Sequence, residues 1–120
     1  MTENVVANDR TTIGVSPQGE EALAILMSRG WFDKEVVAFR VAIAYALAHA
    51  LEPSGSEVSY TTKWNRGSLE QSDMLADLIQ QFHPTDRPYE LAQSLGDAGL
   101  RAMAERVRNG DGLTSILGEG

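Results

Sequence analysis

The residues best suited to bind a ligand lie together in the segment 63–68, KWNRGS, which holds two cations, an aromatic ring, an amide and a hydroxyl. Ser68 and Gln71 have the spacing of a capping box, which predicts that a helix begins here. Backbone N–H groups at a helix N-terminus bind anions, and Lys63 and Arg66 would add positive charge beside a phosphate. The alternative is that Trp64 anchors the chain beside a capped helix while both cations face water.

A second group of candidates lies on a strand predicted over residues 10–15. The alternation places Arg10, Thr12 and Gly14 on one face, as in proteins whose paired strands enter a DNA groove. The alternative is an ordinary edge strand or a flexible leader. Arg40, on a later apolar helix, adds a further cation. The predicted DNA- or phosphate-binding residues are Arg10, Arg40, Lys63, Trp64, Asn65, Arg66 and Ser68.

No residue pattern in the rest of the sequence indicates catalysis or metal binding. The chain has no cysteine, which excludes disulfides, zinc–thiolate sites and cysteine nucleophiles. Phosphate-loop, dinucleotide-binding, serine-hydrolase and zinc-protease motifs are all missing. We interpret His49 and His83 as structural, and Asp73 and Asp77 as part of a solvated helix face. The sequence therefore predicts a non-enzymatic protein with no catalytic residue, metal or cofactor.

The net charge of −7 and the isoelectric point of about 4.7 bear on the choice of partner. DNA binding rests on lysines and arginines that release counterions, so an acidic domain has to use a local basic patch. The same charge suits a basic protein partner. No apolar run is long enough to span a membrane, and residues 1–10 lack the pattern of a signal peptide, so we expect a cytoplasmic protein without membrane contact.

Two helices are predicted in the first half of the chain. Ser16 as N-cap and Pro17 in the first turn predict a helix over 17–29. Asp33 is expected to cap the next helix, over 34–51, which is apolar on almost every side. Such a helix is buried on most sides, either at the centre of the domain or against a second subunit. We therefore expect a homo-oligomer.

Extended and helical segments alternate in the second half. The alternating pattern of residues 57–64 predicts an exposed hairpin arm or an extended loop. Helical periodicity predicts helices over 69–82 and 88–108, with Gly96 and Gly99 marking a break or a close helix crossing in the second. The expected inner face of the first of these helices is Leu75, Leu78, Ile79 and Phe82.

These elements predict a mainly α fold: a single domain of four helices with a short N-terminal strand. The domain is expected to span residues 10–108. Residues 1–9 are predicted to be a flexible leader, and residues 109–120 a loose, glycine-rich tail.

The order of strand, helix, turn and long apolar helix in residues 10–51 resembles a ribbon-helix-helix unit. That resemblance implies two intertwined chains whose strands pair into a DNA-reading ribbon. Residues 16–80, and above all the string WNRGSL at 64–69, are similar to the DndE family of bacterial DNA phosphorothioation systems. This likeness implies a helical, oligomeric fold related to ribbon-helix-helix proteins and an association with nicked duplex DNA.

Two functional hypotheses follow from these observations. The first is a DNA-associated accessory or regulatory protein of a bacterial defence system, which rests on the KWNRGS segment and the family resemblance. The second is an acidic, oligomeric protein–protein interaction module of the adaptor or antitoxin type that does not bind DNA. It rests on the net charge of −7, on the helix that is apolar on almost every side and on the apolar residues of the loose tail.

Overall fold

The computed structural model describes residues 9–55 and 57–118, which form a mainly helical fold with one small sheet. In chain order the elements of these ranges are β1 (Thr12–Val15), α1 (Pro17–Ser28), α2 (Glu35–Ala48), β2 (Thr61–Asn65), α3 (Arg66–Leu69), α4 (Met74–Phe82), α5 (Pro88–Arg108) and α6 (Leu113–Gly118). The mainly helical class and the short N-terminal strand are confirmed. The described part of the chain contains six helices, where the sequence predicted four.

Local sequence predicts the two ends of α1 but not the cap of α2. Ser16 caps α1 as predicted, because its hydroxyl accepts a hydrogen bond from the Gly19 N–H at 2.9 Å. Gly30 follows the helix at a φ of +76°, a left-handed conformation that costs glycine no strain. The predicted cap of α2 is wrong: Lys34, not Asp33, occupies the N-cap position, and no side chain caps the helix there.

Helices α2 and α5 cross closely at the centre of the fold. Gly96 lies against the Phe39 ring, and a Cβ added at Gly99 would stand 2.0 Å from the carbonyl oxygen of Ala42. The two glycines therefore mark a close crossing, and α5 continues through them without a break. The largest fully buried side chains of the described residues are Ile13, Val15, Leu23, Leu26, Phe39, Ile43, Leu69, Ile79, Leu95, Leu100, Met103 and Ile116.

Strand β1 pairs antiparallel with β2 of the same chain. Ile13 stands opposite Trp64, and an irregularity in the register follows between Ile13 and Gly14. The Gly14 N–H also donates a 2.7 Å hydrogen bond to the side-chain carbonyl of Gln93 on α5. Residues 57–64 thus do not form an exposed arm along their whole length, because the part within β2 is paired with a buried strand.

The single helix predicted over 69–82 is divided into α3 and α4. Glu70 follows α3 in an extended conformation, at φ −162° and ψ 150°. Its carboxylate then accepts hydrogen bonds from the N–H groups of Leu75 at 2.7 Å and Ala76 at 3.1 Å, which caps α4. The capping box predicted from Ser68 and Gln71 is therefore wrong. Ser68 lies inside α3, and the carboxylate of Glu70 caps the next helix, α4.

Both ends of the described chain are packed against the helical core. Asp9, which was predicted to belong to a flexible leader, is buried and accepts hydrogen bonds from the N–H groups of Tyr89 and Glu90 at the start of α5. The predicted loose tail contains α6, whose Ile116 is fully buried. The other residues of the predicted leader, 1–8, and residues 119–120 of the tail lie outside the described ranges.

Candidate functional site

Lys63, one of the predicted phosphate-binding residues, is held by two ion pairs. Its Nζ lies 3.2 Å from Oε2 of Glu20 on α1 and 3.1 Å from Oε1 of Glu35 on α2. Burial lowers the pKa of Lys63, but the hydrogen bonds and charges of these two carboxylates outweigh the effect of burial, and the pKa is raised. The ammonium group is thus kept charged, with its charge balanced by acidic neighbours.

Arg66 joins the residue that precedes the sheet, Arg10, to α5. The guanidinium of Arg66 stacks over the Tyr89 ring at 4.6 Å from its centroid and donates a 3.1 Å hydrogen bond to the backbone carbonyl of Arg10. Arg10 in turn donates from Nε to the carbonyl oxygen of Thr12 at 2.9 Å. Both cations are half-buried and bonded within the chain.

Arg40, Trp64 and Ser68 share one open cleft of about 680 Å³ between the start of α2 and the end of β2. Arg40 is exposed, and its Nε donates a 2.6 Å hydrogen bond to the carbonyl oxygen of Leu69 at the end of α3. Lys34 lines the same cleft. Sequence reasoning missed Lys34, because the only signal was its place beside the predicted start of a helix.

The other two residues of the KWNRGS segment have separate surroundings. The half-buried Trp64 packs its ring 5.1 Å from that of Phe39, which fits the predicted anchoring role. Asn65 is exposed at the N-cap of α3, and its side chain makes no capping hydrogen bond. The structure therefore gathers Arg40, Trp64 and Ser68 at one cleft and places Arg10 and Arg66 in contacts outside it, while Lys63 borders the cleft through its ion pair with Glu35.

Helix α4 carries a row of exposed apolar side chains, which we call the apolar stripe: Met74, Leu78 and Phe82. Their exposed fractions are 75 %, 42 % and 55 %. Residues four apart share one helix face, so the three side chains form a continuous row along α4. The predicted inner face is thus partly wrong. Ile79 is fully buried and Leu75 is partly buried, but Leu78 and Phe82 face outward.

An aspartate-lined cavity of about 180 Å³ lies on the flank of α4 that is turned towards the start of α5. We call it the aspartate pocket; its acidic residues are Asp9, Asp73, Asp77 and Asp86. The carboxylate of Asp9 is occupied by the cap of α5. Among the described residues, the side chains of Asp77 and Asp86 accept no hydrogen bond and form no ion pair.

Tyr89 forms the inner wall of the aspartate pocket. Its hydroxyl donates to Oε2 of Glu70 at 2.6 Å and lies 3.1 Å from Oδ1 of Asp73. Burial raises the pKa of Tyr89, and the hydrogen bond to the Glu70 carboxylate and the nearby negative charges raise it further. The hydroxyl is therefore protonated and serves as a donor that positions both carboxylates.

Two further findings concern the described part of the chain. It holds no group of three or more histidine, aspartate or glutamate side chains arranged to bind a metal ion, and this includes the aspartate pocket. None of its helices has both the length and the apolar character that a membrane crossing requires.

Comparison with known proteins gives no relative from which a function could be transferred. The chain matches no protein-family model, no curated protein and no solved structure. The described residues present two candidate surfaces. They are the apolar stripe with its aspartate flank, and the cleft around Arg40.

Proposed function

We propose that this protein is a non-enzymatic protein-interaction module that binds a basic protein partner through α4. The observation that carries the proposal is the apolar stripe. Exposed apolar side chains are common singly, whereas three large ones in a continuous row are typical of an interaction surface. Covering them gains about 25 cal/mol for each Å² of apolar surface removed from water.

Charge supports a basic partner. The chain carries a net charge of −7, and the flank of α4 beside the apolar stripe is lined by aspartates. Opposite charge on a partner speeds its association and excludes acidic competitors, which a neutral apolar surface cannot do. A second copy of this chain would bring the same aspartates to the interface, which makes it the less favourable occupant.

Photo-crosslinking in the native host tests this proposal. A photoreactive phenylalanine analogue at Phe82 is expected to capture one discrete partner, whereas the same analogue at the exposed Ala24 of α1 is not. The captured chain should be basic, and a Leu78→Ser change should abolish its capture. A product containing only two copies of this chain, or equal products at both positions, would overturn the proposal.

DNA association is a second candidate, supported by the cleft that Arg40, Trp64 and Ser68 share with Lys34. Its motivation includes the resemblance to the DndE family. A ribbon shared between two chains has less support, because β1 is buried and already paired with β2 of its own chain. The candidate therefore rests on the cleft and not on Arg10.

Anisotropy titrations with labelled intact, nicked and single-stranded DNA test this second candidate. Lys34→Ala with Arg40→Ala should weaken binding and flatten its salt dependence. Arg87→Ala with Arg108→Ala is the matched control, because both arginines are exposed, lie outside the cleft and are paired with Glu90 and Glu105. No binding at low salt would remove DNA from consideration, and an equal loss in the control would show that DNA does not bind through the cleft.

A further inference from the structure

The apolar stripe and the aspartate pocket meet along α4. Asp77 follows Asp73 by one helical turn and Met74 by three residues, so it stands between the pocket on one flank and the stripe on the other. A chain lying along the stripe would therefore pass beside Asp77 at the edge of the pocket, from where a long basic side chain can reach the other carboxylates.

We infer that the partner segment is a basic amphipathic helix. Its apolar face would cover Met74, Leu78 and Phe82, and one of its lysine or arginine side chains would enter the aspartate pocket. This inference rests on the proposed function and specifies the chemistry of its partner. The aspartate pocket would then be the feature that distinguishes a basic amphipathic helix from other amphipathic helices.

The carboxylates of the pocket differ in how far they are already used. Asp9 caps α5, and Asp73 accepts from the Tyr89 hydroxyl. Asp77 and Asp86 have no such partner among the described residues, and both are exposed. Two carboxylates at the mouth are thus available to a cation from outside, for which charge-assisted hydrogen bonds are the strongest kind.

The shape of the stripe favours a helix as its occupant. Side chains four residues apart form a ridge along a helix, and such a ridge packs into the groove between the ridges of a second helix. The nine residues of α4 give that contact a length of roughly 13 Å at about 1.5 Å per residue. This is enough for one apolar side chain of the partner per turn and a cation beside them.

Three synthetic peptides test the inference directly. The probe is a labelled amphipathic helix of about 15 residues with leucine on one face and lysine on the other. Its analogues carry glutamine or glutamate in place of every lysine. We expect the lysine peptide to bind the intact protein at least tenfold more tightly than the glutamine peptide. The glutamate peptide should bind weakest, and added salt should narrow these differences.

Matched variants separate the pocket from the general negative charge of the chain. Asp77→Asn with Asp86→Asn should weaken binding of the lysine peptide about tenfold and leave the glutamine peptide unchanged. Glu52→Gln with Glu57→Gln removes the same charge from residues outside the pocket and should change neither. Leu78→Ser should weaken both peptides. Circular dichroism and urea unfolding identify any variant that fails to fold.

The possible outcomes distinguish this inference from the proposed function. If the lysine and glutamine peptides bind equally, or if both charge variants lose the same affinity, the aspartate pocket does not select a cation and the inference fails. If no peptide binds while Phe82 still crosslinks to a basic protein, the inference also fails, but the proposed function stands. The absence of that crosslink would remove the proposed function itself.

Discussion

Asp9 caps a helix that begins about eighty residues later in the chain. Its two carboxylate oxygens accept hydrogen bonds from the Tyr89 N–H at 2.8 Å and from the Glu90 N–H at 2.9 Å. The N-cap residue of α5, Arg87, makes no side-chain cap of its own. A carboxylate at this end also faces the positive end of the helix dipole. One buried aspartate thus fixes the N-terminal segment to the longest helix.

Replacing Asp9 with alanine should lower the free energy of unfolding by about 2 kcal/mol, because α5 loses its cap, and the buried Tyr89 N–H and the half-buried Glu90 N–H lose their acceptor. Urea denaturation followed by circular dichroism measures the change. Asp33→Ala is the matched control: Asp33 is exposed, does not cap α2, and should cost less than about 0.5 kcal/mol. Equal losses in the two variants would contradict the capping role.

Gly99→Ala should destabilise the fold by about 3 kcal/mol, since the new methyl group would meet the Ala42 carbonyl and a backbone atom cannot rotate away. The same change at Gly67 is the control, because a Cβ there has nothing within 4 Å. Gly67→Ala should be neutral or stabilising by about 0.5 kcal/mol. A thermal unfolding midpoint unchanged by Gly99→Ala would show that α2 and α5 are not in close contact.

Asp97→Ala should be among the most destabilising polar substitutions, at about 3 kcal/mol. Asp97 is fully buried, and its carboxylate accepts hydrogen bonds from the hydroxyls of Ser16 and Ser54. Removing it leaves the buried hydroxyl of Ser16 and the half-buried hydroxyl of Ser54 without their acceptor. Ser54→Ala removes only one donor and should cost about 1 kcal/mol. Equal unfolding free energies for the two variants would refute this ranking.

Tyr89→Phe should cost about 1–2 kcal/mol at neutral pH, because the hydroxyl loses its hydrogen bonds to Glu70 and Asp73. The raised pKa of Tyr89 gives this contribution a pH dependence. It is fully present below the unfolded-state pKa of about 10 and is lost as pH rises towards the folded-state pKa. The stability difference between wild type and variant should therefore shrink above about pH 10.

The same experiment has an internal control in Tyr60, whose hydroxyl has no hydrogen-bond partner within the described residues. Tyr60→Phe should leave the unfolding free energy at neutral pH unchanged or slightly raised, since no hydrogen bond is lost. A loss at Tyr60 equal to that at Tyr89 would mean that the phenol hydroxyls contribute by some route other than these hydrogen bonds.

The features that the sequence predicted correctly depend on neighbours in the chain. Ser16 and Pro17 start α1 because a cap acts within three residues, and the run from Pro88 to Arg108 reads as a helix from its own periodicity. The break at Glu70 could not be predicted in this way. Its carboxylate caps a helix that begins several residues later, and local pattern favoured a single helix through it.

The candidate site was predictable in composition but not in arrangement. Trp64 packs against Phe39 and anchors the chain, as one of the two interpretations of the KWNRGS segment predicted. Lys63 and Arg66 stand in the predicted segment, but which charges and rings surround them depends on α1, α2 and α5. The apolar stripe could not be predicted from the sequence for a related reason. Periodicity shows that Leu78 and Phe82 share a face with other apolar residues, but not how much of that face the rest of the chain covers.

The hydrogen bonds between the N-terminal segment and α5 affect how the protein folds during its synthesis. Gly14 bonds to Gln93, and Ser16 to Asp97, across 79 and 81 positions of the chain. During synthesis the first strand leaves the ribosome well before the groups that hold it have been translated. Contacts of such high sequence separation slow folding and favour a late, concerted step. A nascent chain that stops before α5 should therefore stay open to proteases and chaperones, and resistance should appear only once the whole of α5, with its buried Leu100 and Met103, has emerged.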